Sequence, residues 1–209
     1  MSPIFLLVIL FSCLAMGIPV AISLGLASIS TILLFADQSL LSLAQRFFHT
    51  MQIYPLLAVP FFILAATFMT TGGVAKRMVD FANALVGHFR GGLAMSALLA
   101  CAFFSAVSGS APATVVAVGS VMIGGMISSG YTQRFASGVI CNAGTLGILI
   151  PPSLVMVIYG AVTETSIGNL FIAGMLPGLI LTMAMMATVA VIARRQDLPR
   201  QPRATLKEL

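Results

Sequence analysis

No charged residue occurs between Arg90 and Arg134 in this 209-residue chain, yet the apolar run between them breaks midway at Val107-Ser108-Gly109-Ser110-Ala111-Pro112 and resumes as Val115-Val116-Ala117-Val118. In a soluble protein such a break is a turn between core elements. The rest of the chain excludes that reading. Charged residues make up 7% of the sequence and hydrophobic ones 59%, with a mean hydropathy of +1.11. Soluble domains carry roughly 25% charged residues, so too little charge is present to coat a water-facing surface. A polytopic membrane protein follows. The apolar N-terminus has no basic leader and no small-residue cleavage site, and reads as a first membrane segment. At membrane depth a non-helical break is tolerated only where it lines a cavity or is buried in protein. Ser108-Gly109-Ser110 is therefore a candidate binding site rather than a linker.

The formal net charge of +5 does not point to nucleic acid, because the basic residues form no single patch. Lys76, Arg77 and Arg90 share one loop, Arg134 lies in another, and Arg194, Arg195, Arg200, Arg203 and Lys207 lie in the tail. Basic loops alternating with apolar segments are the pattern of the positive-inside rule. Loops 72–92, 128–134 and 194–209 are thus expected on the cytoplasmic side, and the loop holding Glu164 outside. Cys13, Cys101 and Cys141 are scattered in apolar segments without metal-ligand spacing and read as small buried hydrophobes. His49 and His88 sit near segment ends beside Arg46 and Arg90 and read as interfacial residues. No Ser/His/Asp or paired-carboxylate arrangement supports an enzyme.

Residues 3–35 form one apolar run broken at Gly17-Ile18-Pro19. As one helix it would be about 50 Å long against a hydrocarbon core of roughly 30 Å. Two short helices fit better, with Pro19 in the first turn of the second. Residues 37–52 read as a polar connection, with Arg46, Phe47, Phe48 and His49 at an interface. Residues 53–70 are a membrane helix containing Pro55 and Pro60 and ended by Gly72-Gly73. Within 74–92, Val74, Met78, Phe81, Leu85 and Phe89 recur at spacings of three and four, which predicts an amphipathic surface helix stopped by Gly91-Gly92.

Residues 93–107 and 113–127 flank the opening feature. Each arm would be about 22 Å long, short for a crossing, and two such arms meeting at a polar tip predict a re-entrant helical hairpin over 93–127. Residues 135–160 are apolar but broken at Gly144-Thr145-Leu146-Gly147-Ile148-Leu149-Ile150-Pro151-Pro152-Ser153. Residues 170–193 are a last membrane helix. The fold class is all-α and membrane-spanning. Its organisation is scaffold-like helices over 1–92, a transport-like region over 93–160, a final helix over 161–193 and a tail over 194–209.

The two breaks offer complementary tools. A helix C-terminus presents free carbonyls, suited to a small cation, and an N-terminus presents N–H groups and a positive dipole end, suited to a carboxylate. The hairpin tip holds both, with Ser108 and Ser110 hydroxyls added. At the second break Pro151 and Pro152 supply no N–H to the carbonyls of Gly147 and Ile148. Two broken elements with opposed half-helix ends point to a secondary-transporter site; kinks or close helix packing are the other reading. Asn142 and Thr145, just before the second break, fit either interhelical hydrogen bonding or substrate contact. Asp37, Asp80 and Glu164 all lie in loops or at interfaces, where none can relay protons at the midplane. That favours sodium over proton coupling.

At these residues the chain resembles the large membrane (M) subunit of tripartite ATP-independent periplasmic (TRAP) transporters. The likeness is carried by Val107-Ser108-Gly109-Ser110-Ala111-Pro112-Ala113-Thr114, Val118-Gly119-Ser120, Gly130-Tyr131, the stretch from Ala143 to Ser153, Ser166-Ile167-Gly168-Asn169-Leu170-Phe171, Pro177-Gly178 and Val59-Pro60-Phe61-Phe62. The resemblance implies one repeat of an inverted-repeat, elevator-type importer in the bacterial cytoplasmic membrane. It would be driven by sodium and take small organic acids, carboxylates or sialic-acid-like. A periplasmic substrate-binding (P) protein would feed it and a small membrane (Q) subunit would brace it. Carried over, the sodium site falls on Ser108, Gly109 and Ser110 at the tip and on oxygens around Gly147, Ile150 and Pro152 in the broken helix. The substrate would lie by Ser110, Asn142 and Thr145. No cofactor is implied beyond the coupling ion. The chain departs from the family in having Ala111 where serine is frequent and Gly124 where proline is frequent. It also lacks the second inverted repeat with its own hairpin, so it reads as an N-terminal half. A non-transporting scaffold and an oligomeric channel are the alternatives. A second hairpin motif downstream would favour the importer, and ion currents without a sodium gradient would favour the channel.

Overall fold

A computed structural model describes residues 2–35, 40–195 and 198. Asp37 and most of the tail, with Arg200, Arg203 and Lys207, lie outside the described residues. The chain packs as two units, residues 1–53 and 54–209.

In the first unit, α1 (Ser2–Ala15) and α2 (Val20–Phe35) pack against each other. The turn between them carries Gly17 in the left-handed region, φ 78°. The Phe5 and Phe35 rings meet edge to face at 5.2 Å, which joins the start of α1 to the end of α2 and makes the pair antiparallel. On α2 the buried residues are Ser23, Ala27 and Thr31, four apart. Small side chains in one row let membrane helices approach closely, and the Ser23 and Thr31 hydroxyls donate to the carbonyls of Ile18 and Ala27 at 3.2 and 2.6 Å. Ile4, Leu7, Phe11, Ile22 and Leu33 are exposed, an arrangement suited to lipid.

Residues 40–51, read from the sequence as part of a polar connection, form a helix, α3 (Leu40–Met51). The polar residues suggest a loop, but Leu41, Ala44, Phe48 and Met51 recur at helical spacing and give the segment an apolar side.

The second unit begins with α4 (Tyr54–Thr71), with Pro55 in its first turn and Pro60 inside it. Helix α5 (Val74–Val86) is shorter than its amphipathic pattern implied. It ends at Gly87, because Gly92 lies against the Gly87 backbone and the chain reverses there into α6 (Gly92–Ser108). The buried row of α5 is Ala75, Val79 and Ala82, packed toward α6 and α7. Phe81, Leu85 and Phe89, on the apolar stripe of the expected surface helix, are exposed. Close packing takes up the adjacent row of smaller residues and leaves the large side chains of the stripe outside, with Phe81 tilted against Phe103 at a centroid distance of 5.8 Å.

Helices α6 and α7 (Ala111–Ser128) form the expected hairpin, joined by Gly109 and Ser110 alone. Their 17 and 18 residues make arms of about 26 and 27 Å, a little longer than the sequence estimate. The next element is broken as expected, into α8 (Gln133–Gly144), the single turn α9 (Leu146–Leu149), an extended link through Pro151-Pro152 with a cis peptide bond, and α10 (Leu154–Thr163). Helix α11 (Ile167–Arg195) closes the unit and starts one turn earlier than expected. Among the described residues, four segments are long and apolar enough to cross a membrane: Tyr54–Thr71, Ala111–Ser128, Gln133–Thr163 and Ile167–Arg195. The core lies where α5, α6, α7 and α8 meet, built from alanines around Leu98, Phe104, Met126 and Ile140, with Tyr131 buried at its edge.

Candidate functional site

The two breaks, far apart in sequence, interlock. Gly109 follows α6 in the left-handed region, φ 62°, a conformation most residues avoid. A side chain there is also excluded by packing: a Cβ on Gly109 would lie 2.5 Å from the Pro152 carbonyl oxygen. The Leu154 N–H donates to the Gly109 carbonyl at 3.0 Å, so the first amide of α10 caps the end of α6. From the other side, a Cβ on Gly147 would lie 2.8 Å from the Ala111 nitrogen. Gly144 is closed off by Val115 of α7. Thus Ser108, Gly109 and Ser110 are brought together with Gly147 and Pro152. Ile150 lies on the far side of the link, against Gly178 of α11. Helix α11 backs the break with a row of Gly174, Gly178 and Thr182, all buried, and the Leu149 carbonyl comes within 2.7 Å of where a Cβ on Gly174 would stand.

The hydroxyls at the tip form a network inside the hairpin. Ser105, Ser108 and Thr114 are fully buried. Thr114 donates to the Ser110 carbonyl at 2.9 Å and lies 3.2 Å from the hydroxyls of both Ser105 and Ser108. A hydroxyl has one hydrogen, so with Thr114 committed to Ser110 both serines donate to Thr114. Their own oxygens keep lone pairs, one of which in Ser108 faces the Ser110 N–H at 3.4 Å. Ser110 caps α7, its side chain accepting from the Ala113 N–H at 3.5 Å. Ser153 is fully buried and its hydroxyl has no protein partner, although the residues on either side of it, Pro152 and Leu154, both contact Gly109. A buried polar atom without a partner costs about 1–3 kcal/mol and calls for an explanation.

Ser110 also borders a cavity of about 360 Å³ between α4 and α7, where Thr67, Thr70 and Thr71 face it. Those three hydroxyls donate to carbonyls of their own helix at 2.8 to 3.0 Å. Sequence reasoning missed them, as it missed the roles of Ser105, Thr114 and the Ser153 hydroxyl. The hydroxyl spacing of Thr67, Thr70 and Thr71 on one helix was the available signal. Thr145 is exposed between Gly144 and Gly147, and its hydroxyl donates to the Asn142 carbonyl at 2.7 Å. Asn142 is not at the tip. Its amide donates to Gly138 at 2.8 Å, and it borders a different cavity, between α8 and α11. Among the described residues no group of three or more His, Cys, Asp or Glu side chains is placed to hold a metal. The tip and the break therefore offer neutral oxygens alone, from hydroxyls and carbonyls, a donor set for a hard cation of low charge.

Comparison with known proteins agrees with this architecture. The chain is 60% identical over 186 residues to the C4-dicarboxylate TRAP transporter large permease protein DctM of Pseudomonas aeruginosa, covering 89% of this chain and 44% of the relative. It is 53% identical to the protein of the same description in Vibrio cholerae, over 100% of this chain and 46% of the relative. It is 44% identical to the ectoine/5-hydroxyectoine TRAP transporter large permease protein UehC of Ruegeria pomeroyi, over 99% of this chain and 48% of the relative. The chain thus spans about half the length of these relatives, and all three are described as permeases. Residues 7–209 match the family described as the tripartite ATP-independent periplasmic transporter, DctM component, and the chain belongs to that family.

Proposed function

We propose that this chain is the N-terminal half of the large permease of a sodium-coupled importer of small organic anions, C4-dicarboxylates first among them. The observation that carries the reading is the interlock of tip and break, with Leu154 bonded to Gly109 and the buried Ser153 hydroxyl left over beside it. Ser108, Gly109, Ser110, Gly147 and Pro152 converge there, and Ile150 lies within the same link. Sodium fits this donor set: it asks for several neutral oxygens and no carboxylate, and the Ser108 and Ser153 oxygens have capacity to spare. When bound, sodium supplies positive charge next to the start of α7. In this reading the anion is held beside Ser110, next to the threonine-lined cavity of α4, with the exposed Thr145 as a further candidate contact. Asn142 remains a candidate substrate contact only through a change in its present orientation.

A re-entrant hairpin is supported by depth. The break at 147–154 lies midway along the 133–163 segment. If that segment crosses the membrane, a hairpin tip touching its middle stops near the midplane. The partners in this reading are a small membrane (Q) subunit, a periplasmic binding (P) protein and the bilayer of the bacterial inner membrane.

The test is thermal unfolding of the intact protein in sodium chloride against potassium chloride at equal ionic strength. Sodium alone should raise the midpoint, and Ser108→Ala or Ser153→Ala should remove most of that rise. An equal shift in potassium, or a full sodium response in both variants, refutes the assignment. Uptake of labelled succinate into vesicles driven by an imposed sodium gradient then checks the substrate class.

A further inference from the structure

A larger cavity lies away from the tip. It is a trough of about 530 Å³ between α8 and α11, floored by Leu98 of α6. Volumes of 300–1,000 Å³ are usual for ligand sites. Its walls are apolar, with Val139, Leu181, Met185 and Val189 prominent. The two polar side chains along its length are spent on their own helices: Asn142 donates to Gly138 and Thr188 to Ala184, both at 2.8 Å. Charge enters at one end only. Arg134, exposed at the start of α8, lines that end together with Ile192 near the close of α11. Arg195 lies one turn past Ile192 on α11, beyond the residues that line the trough, and helical spacing from Met185, Thr188 and Ile192 carries it toward the same end. An apolar trough in a membrane protein with arginines at one mouth has the chemistry of a phospholipid site: the trough takes an acyl chain and the guanidiniums take the phosphate.

We infer that this trough binds an anionic phospholipid, headgroup at Arg134 and Arg195, and one acyl chain along α8 and α11. The site is separate from the tip, and its occupancy ties α11, which backs the break through Gly174 and Gly178, to α8 on the other side of that break. A polar substrate is a poor occupant because the trough offers it no free donor along its walls. Gly138 lies in the wall, and a Cβ added there meets nothing within 4 Å. A side chain at that position would therefore start out into the trough with its Cβ displacing no protein atom.

The experiment is native mass spectrometry of the intact protein, purified in mild detergent and incubated with equal amounts of phosphatidylglycerol and phosphatidylethanolamine of matched acyl chains. Wild type should retain one phospholipid, with phosphatidylglycerol preferred. Arg134→Gln should keep retention but reduce the preference about fivefold, the contribution of one basic residue beside an anionic lipid. Gly138→Leu should abolish retention of both lipids, with Gly138→Ala intermediate. Melting temperatures recorded alongside identify any variant that has failed to fold, and Gly138→Ala then decides. Absence of retained lipid in wild type, indifference between the two lipids, or unchanged retention in the Gly138 variants overturns the inference. The first of these is also the outcome if another stretch of polypeptide covers the trough.

Discussion

Two turns in this molecule share one local grammar and have opposite surroundings. At Gly17-Ile18-Pro19 a glycine at positive φ ends α1 and a proline opens the way into α2. At Gly109-Ser110-Ala111-Pro112 a glycine at positive φ ends α6 and a proline sits in the first turn of α7. A Cβ on Gly17 would meet nothing within 4 Å, whereas one on Gly109 would press on the Pro152 carbonyl. The first turn satisfies itself, with the amides of Met16, Gly17 and Ile18 bonding back to Ser12, Leu14 and Cys13. The second exports its Gly109 carbonyl to α10 and encloses three hydroxyls. Gly-to-Pro breaks in apolar chain are therefore not a functional signal by themselves. What separates the connector from the candidate site is whether the freed backbone groups are used locally or by another element.

A pair of variants separates the two turns. Gly109→Ala should be the most damaging change, about 2–5 kcal/mol, because it adds a contact with Pro152 to the left-handed penalty. Gly17→Ala carries only the penalty, about 1–2 kcal/mol. Reversible unfolding of both variants in mixed micelles measures the difference, and equal losses would erase the distinction between them. Thr114→Val comes next. It leaves Ser105 and Ser108 without their acceptor and should cost about 1–3 kcal/mol, and it should also weaken the sodium-dependent rise in the unfolding midpoint; loss of stability with the sodium response intact would detach the network from the ion. The smallest effect belongs to Gly124→Ala on the open side of α7, where a Cβ meets nothing within 4 Å. It should stabilise the helix by about 0.5–1 kcal/mol. A destabilising result there would mean that the far end of the arm is packed against something.

Helices, breaks and the hairpin were legible because each has a local cause: apolar runs, glycine at positive φ, proline at a helix start. The exceptions share a different cause. Residues 40–51 hide a helix because the polar side chains on one face mimic a loop. The α5 stripe stands out by its large residues, while packing chose Ala75, Val79 and Ala82. Asn142 is near the break in sequence, but a helix turns its side chains by about 100° per residue, and that rotation sends Asn142 to the trough rather than the tip. The meeting of Gly109 with Pro152 and Leu154 has no local signature at all. It joins elements separated by the whole of α7, α8 and α9, and the burial of the Ser153 hydroxyl beside the tip cannot be read without it.

The bond from Leu154 to Gly109 also orders events in time. The hairpin is complete when Ser128 has been added, but its tip carbonyl acquires this partner only after the chain has grown to Leu154. At synthesis rates of roughly 5–20 residues per second, the newly made hairpin spends seconds with a polar tip and no cap. During that interval it is best held near water or the insertion machinery rather than settled in lipid. The second break is therefore the partner that lets the first one be buried, and truncation anywhere before residue 154 should leave a hairpin that cannot seat.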